Sequence, residues 1–256
     1  MKNLFDLSGK VAVVTGGSSG LGAAMARGFL ENGVRTYITA RKAERLHDMA
    51  AELSKIGECI PIASDASTLE GIEGLVSDVK AREDHIDILV NNAGAVWSAP
   101  IEDFPENGWD KVMNVNIKSV FFMTQKFLPL LRANATAEDP SRVINIASIN
   151  GITNSGMPTY SYSASKSAVV HLTKHMATDL ANMKINVNGI APGFFPTDMT
   201  AGIDGDEAMY QATIAQIPRA RPGTPEDIAG AAIYLSSRAG AWVDGHTIVL
   251  DGGMIA

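Results

Sequence analysis

Seven short runs of apolar and β-branched residues recur along the chain, at 11–15, 34–39, 60–63, 86–90, 143–147, 185–190 and 247–250. Most are largely apolar or β-branched rather than strictly alternating, the pattern of strands covered on both faces in a parallel sheet. Apolar residues at helical spacing fill the intervals and predict helices over 21–31, 43–56, 69–82, 109–131, 162–181 and 225–236. Asn32-Gly33 and Gly57 supply stops for the first two. Pro129 predicts a break near the end of the fourth. Alternation of this kind predicts an α/β fold, a single Rossmann-type domain over 1–256 with a doubly wound sheet of seven parallel strands and helices on both faces. One segment breaks the rhythm. Residues 194–221, rich in Gly, Pro, Met and Asp, read as a substrate lid or loop.

Composition narrows the class. With 256 residues, 46% hydrophobic and 19% charged, the chain can bury a large core and is not disordered. A net charge of −7 argues against nucleic acid or an anionic membrane as partner. The lone Cys59 excludes an internal disulfide framework and a multi-cysteine zinc site. Residues 1–10 hold no secretory apolar region, and no run approaches the roughly 18 apolar residues of a membrane span, so a cytoplasmic protein is expected. His171 and His175 sit at i,i+4, yet no third ligand is evident and no metal is expected.

The first strand runs into Thr15-Gly16-Gly17-Ser18-Ser19-Gly20-Leu21-Gly22, with a helix directly after. Glycines there allow a tight turn and bring backbone N–H groups to a pyrophosphate at the positive end of the helix. No Gly-Lys-Ser/Thr closes the turn, so it is not a Walker A loop. Tyr162 and Lys166, four residues apart on a helix, share one face about 6 Å apart along the axis. A phenol of pKa ~10 is a poor proton shuttle at neutral pH, and a lysine cation beside it favours the phenolate. Such a pair can exchange a proton with a carbonyl or hydroxyl oxygen. The second strand ends Ala40-Arg41-Lys42, without the acid that takes both ribose hydroxyls of NAD. Arg41, with Lys42 adding potential, is placed to take a 2′-phosphate, so NADP(H) is expected and NAD(H) is the weaker alternative.

These motifs, with Asn91-Asn92-Ala93-Gly94, Pro192-Gly193 and Asp251-Gly252-Gly253 each after a strand, resemble the short-chain dehydrogenase/reductase family in order and over nearly the whole chain. The resemblance implies that Tyr162 is the acid/base and that Lys166 binds the nicotinamide ribose. It implies that Ser148 bonds the reacting oxygen and that Asn116 holds a water linking Lys166 to solvent. It assigns coenzyme contacts to Gly16, Ser18, Ser19, Gly20, Leu21 and Gly22, to Asp65 and Ala66 at the adenine, and to Asn92, Ala93 and Gly94. Pro192, Gly193, Phe195 and Thr197 complete the set, Thr197 bonding the carboxamide. Segments 108–113 and 142–148 look like the 3-oxoacyl reductase branch. The implied activity is NADP(H)-dependent hydride transfer to or from a ketone or secondary alcohol. Phe194, Phe195, Met199, Ile203, Met209, Tyr210 and Ile214 in the lid point to a hydrophobic or 3-oxoacyl carbonyl substrate. A hydroxy-ketone, cyclic-diketone or polyol dehydrogenase with the same four residues is the alternative, and a non-catalytic dinucleotide sensor the second. The helices at 109–131 and 162–181 resemble the family's subunit contact, and the last strand a second one, implying a homotetramer or, failing that, a homodimer.

Overall fold

Val11–Thr15 (β1) shows why the sheet must be covered twice. Val11 and Val13 point into one apolar cluster, Ala12 and Val14 into the other, and all four are buried. Strand side chains alternate between faces, so a continuously apolar strand needs a helical layer on each side. The computed structural model describes residues 3–154 and 156–256. Its other strands are Arg35–Ala40 (β2), Cys59–Ala63 (β3), Ile88–Asn91 (β4), Ser141–Ile146 (β5), Ile185–Pro192 (β6) and Thr247–Leu250 (β7). They form one parallel sheet in the order β3-β2-β1-β4-β5-β6-β7. The order reverses at β1 and β4, so their C-terminal ends flank a crevice, the usual ligand position in such sheets.

Gly20–Glu31 (α1), Ala43–Leu53 (α2) and Pro225–Ser236 (α9) cover one face. Leu69–Lys80 (α3), Ser119–Arg132 (α5) and Tyr160–Leu180 (α6) cover the other. Between α3 and α5 runs Glu106–Met113 (α4), which passes into α5 through a wider π-helical turn, Asn114–Lys118. The sequence predicts one regular helix there. A π turn accommodates one extra residue, and here it carries Asn116 inward to 1% exposure. Pro129 does not end α5 either. The helix continues to Arg132, where outside donors reach its last carbonyls: Ile86 N–H to Leu130 O at 3.2 Å and Ser141 Oγ to Leu131 O at 2.7 Å. Within the expected lid, the structure folds two short helices, Ala201–Asp204 (α7) and Glu207–Ile214 (α8), the second capped by Asp206. Phe194 and Phe195 are buried at its base, with Phe195 in the core beneath Gly223, so neither is a free lid side chain. No helix among the described residues is long and apolar enough to cross a membrane.

One buried cation ties the sheet to α9. Arg142 of β5 is 1% exposed, and its Nη2 donates to Ser237 O at 3.2 Å and to Asp139 Oδ1 at 3.3 Å. A cation at the carbonyl end of a helix is favourably placed. Removing it strands a buried carbonyl and opens a void. Arg142→Ala is therefore expected to lower stability by about 2–4 kcal/mol. Calorimetry of the variant should show a Tm roughly 5–15 °C below that of the parent.

Candidate active site

The glycine turn is held where it is by what lies against it. Gly16 adopts φ +66°, and a side chain there would come within 2.9 Å of Asn92 Nδ2. At Gly22 a Cβ would stand 2.3 Å from Gly16 O, and at Gly17 it would meet Ile38 at 2.7 Å. The turn can be this tight only without side chains. The end of β4 is pinned to it: Asn92 Nδ2 donates to Thr15 O and Gly16 O, at 2.9 and 3.2 Å. Thr15 Oγ1 accepts from Asn92 N and Ala93 N, both at 3.0 Å. The side chain of Asn92 is thus spent on the scaffold. Thr15 and Gly17, absent from the predicted contacts, belong to this framework. Their signal was the strand-to-glycine junction itself.

Arg41 and Lys42 follow β2, exposed and without an ion pair among the described residues. Asp65, at the end of β3, accepts from Ser67 N at 2.9 Å and Ser67 Oγ at 2.6 Å. Those bonds, helped by the Arg41 charge and opposed by burial, hold its carboxyl below the ordinary range. Ala66 lies beside it, half-buried. Across the crevice, Gly193 N donates to Leu250 O at 3.0 Å, fixing the Pro192-Gly193 exit of β6 to β7. Thr197 follows, its side chain 3.3 Å from the position a Gly20 Cβ would take. Thr197 therefore faces the start of α1 across the turn. The cradle fits a dinucleotide: a glycine-lined turn at a helix N-terminus, with free cations at the adenosine end.

Ser148, Tyr162 and Lys166 converge beside this cradle. Ser148 ends β5 and caps the short 3-10 turn Ile149–Gly151, accepting from Asn150 N at 3.2 Å. That turn lies against α6: a Cβ on Gly151 would stand 2.6 Å from Lys166 O, and Ser167 Oγ donates to Gly151 O at 2.9 Å. Gly151 is a second position sequence reasoning missed. Only the backbone-to-backbone approach reveals it. Lys166 is 4% exposed, its Nζ donating to Ile146 O at 2.6 Å and lying 5.6 Å from the Tyr162 ring centroid. Burial pushes the Lys166 ammonium down to about 8. Burial pushes the Tyr162 phenol up, and a hydrogen bond with Ser148 pulls it back. The expected lowering of Tyr162 by Lys166 is not the dominant influence in this arrangement. Asn116, displaced inward by the π turn, donates to Ala95 O at 2.9 Å and Ser165 Oγ at 3.0 Å, and accepts from Ala95 N at 2.8 Å. It joins the loop after β4 to α6, and Lys166 Nζ and Asn116 Oδ1 both approach Gly94. His171 and His175 are exposed on α6 with Asp179 3.4 Å from His175, and no group of three or more metal ligands occurs among the described residues.

Comparison with known proteins agrees with this geometry. A family model described as enoyl-(acyl carrier protein) reductase matches residues 16–255. A rhamnolipid-biosynthesis 3-oxoacyl-[acyl-carrier-protein] reductase of Pseudomonas aeruginosa is 46% identical over 253 residues, 99% of each chain. A 2-dehydro-3-deoxy-D-gluconate 5-dehydrogenase of Dickeya dadantii is 38% identical over 255 residues, 99% of this chain and 98% of that one. Among solved structures, the Pseudomonas aeruginosa RhlG/NADP active-site complex superposes with a TM-score of 0.96 at 46% identity, covering 99% of both chains. Glycine turn, Tyr-Lys helix, strand order and these matches agree, and the chain belongs to the short-chain dehydrogenase/reductase family of oxidoreductases.

Proposed function

We propose that this chain is an NADP(H)-dependent reductase of hydrophobic ketones of the 3-oxoacyl type, working through Ser148, Tyr162, Lys166 and Asn116. The carrying observation is the stapling of the Ser148 turn to α6 at Gly151, which sets a hydroxyl, a phenol and an ammonium around one point. A nicotinamide dinucleotide bound on the glycine turn supplies or accepts the hydride. Ser148 orients the substrate oxygen, and Tyr162 gives that oxygen its proton during reduction or takes it during oxidation. As Tyr162 gives up its proton, the phenolate that forms draws on the Lys166 charge. Asn116 holds the loop after β4 against α6 and so keeps Lys166 oriented. The same four residues serve a 3-oxoacyl or a polyol substrate, so the lid must discriminate. The lid, residues 194–221, carries Asp198, Asp204, Asp206 and Glu207, against Arg219 and Arg221 at its far end. Exposed Met199 and Met209 stand in the same stretch. An anionic sugar acid, suggested by the likeness to the gluconate-type relative, would meet repulsion there, whereas an acyl chain would not.

A purified sample should oxidise NADPH with a 3-oxoacyl thioester and show little activity with 5-ketogluconate. Tyr162→Phe should cut kcat at least 100-fold and leave the NADPH Kd within a few-fold. For the parent, reduction should slow above about pH 8, because loss of the Lys166 proton removes the charge that stabilises the phenolate. A variant retaining a tenth of parental kcat would overturn the role of Tyr162.

Arg41 is proposed to read the 2′-phosphate. The relevant comparison is kcat/KM for NADPH and NADH in the parent and in Arg41→Ala. A charge-assisted bond of roughly 1.5–3 kcal/mol predicts a loss of about 10- to 150-fold for NADPH, with NADH almost unchanged. An unaltered coenzyme preference would return Arg41 to the status of a solvated helix residue.

We further propose a homotetramer. An apolar groove of about 610 Å³ between the π turn, α5 and α6, lined by Met113, Ile117, Phe121 and Leu172, gives one face. The edge strand β7, with Val249 39% exposed and the nearby Trp242 98% exposed, gives a second. Light scattering should report a tetramer for the parent and a dimer for Trp242→Asp, and a monomeric parent at micromolar concentration would refute the assembly.

A further inference from the structure

The segment over the glycine turn is built more firmly than an exposed loop needs to be. Thr200 Oγ1 donates to Phe195 O at 3.0 Å and to Thr197 O at 3.1 Å, and accepts from Thr197 N at 2.8 Å. Residues 195–200 are thereby tied into one stiff turn, with Asp198 at its outer side. At the base of the lid, Gly223 N donates to Phe194 O at 2.9 Å and Arg219 N to Gly252 O at 3.2 Å. The body between these anchors reaches back over the coenzyme cradle at two places. The Thr197 methyl lies 3.3 Å from where a Cβ on Gly20 would stand, and Asp198 Oδ2 meets Arg45 Nη2 at 2.6 Å. Arg45 stands in the first turn of α2, just past Arg41 and Lys42. Among the described residues, this is the only ion pair joining 194–221 to the half of the sheet formed by β1, β2 and β3.

We propose that Arg45 and Asp198 are positioning residues that clasp the lid to α2 across the bound coenzyme and set how long it stays. The proposal rests on the dinucleotide reading above. A pyrophosphate lying on the turn from Gly16 to Gly22 is overhung on one side by Thr197, and the ion pair continues that strap to the rim of the adenosine end. Coenzyme leaves only when the strap lifts. Both partners are about half-exposed, at 49% and 65%, so the pair is worth little by itself and salt weakens it. Such strength suits a latch that must open in every cycle. Arg45 acts here through the lid and not through the 2′-phosphate, so the clasp holds NADPH and NADH alike.

The experiment is stopped-flow release of NADPH and of NADH, followed by coenzyme fluorescence, from the parent and from Asp198→Asn, Arg45→Gln and the charge-exchanged Arg45→Asp/Asp198→Arg. At low salt each single variant should release both coenzymes about 1.5- to 5-fold faster. The exchanged pair should return toward the parental rate, and 0.5 M salt should erase the difference. A purely structural loss would not be rescued by exchanging the charges. Unchanged release from Asp198→Asn, or failure of the exchange to restore it, overturns the clasp. Faster release of NADPH alone from Arg45→Gln also overturns it, by making Arg45 a phosphate ligand. A parent protein that binds neither coenzyme defeats the functional reading and the clasp together, an outcome separate from a parent that binds both while the variants behave identically to it.

Discussion

Everything at the active end of this sheet depends on one close approach, that of the Gly16 turn to the end of β4. Asn92 lies so close that a side chain on Gly16 or Gly22 would collide with it. The paired bonds of Thr15 and Asn92 then hold the two strand ends in fixed register. From that register the rest follows by short links. Asn92 leads to Ala95, Ala95 is bonded to Asn116, Asn116 to Ser165, and Ser165 is the neighbour of Lys166 on α6. Cradle and proton-transferring residues thus belong to one connected polar framework, most of it buried.

Chemical purpose and burial pull against each other within that framework. An ammonium without water around it is costly, and Lys166 meets that cost partly through the Ile146 carbonyl and partly by holding its proton less firmly. The Tyr162 phenol is burdened in the opposite sense, because burial disfavours its anion. Desolvation therefore moves the two groups apart, the ammonium down and the phenol up, and favours the neutral form of each.

The sheet was legible because both its faces are largely apolar, and β1, Val11–Thr15, declares this most plainly. Tyr162, Lys166 and the glycine turn were legible because their spacing is local to one helix or one turn. What escaped depends on distant contact. Gly151 looks like any loop glycine until α6 is packed against it, and its neighbour there lies fifteen residues on. The π turn is invisible to periodicity because it perturbs the helical repeat by a single residue, between two stretches that each keep the normal one. Pro129 was misleading because its missing N–H removes a single bond, the one to Gln125 O, and the last three residues of α5 keep their helical conformation beyond it. Phe195 read as a lid residue, and its ring lies in the core because Gly223 leaves room for it.

The narrow base of the lid gives the fold a modular character. Gly223 to Phe194 closes the base of the segment and Arg219 to Gly252 ties it to the turn after β7, both with backbone bonds that are indifferent to the side chains between them. Apart from Thr197 and Asp198, which reach the glycine turn and α2, the stretch 199–216 is joined to the sheet chiefly through that neck. An acidic, methionine-bearing lid can be exchanged for a basic one over the same proton-transfer machinery. Selection on substrate and selection on folding then act on separate parts of one chain, and a family built this way can change diet without relearning how to fold.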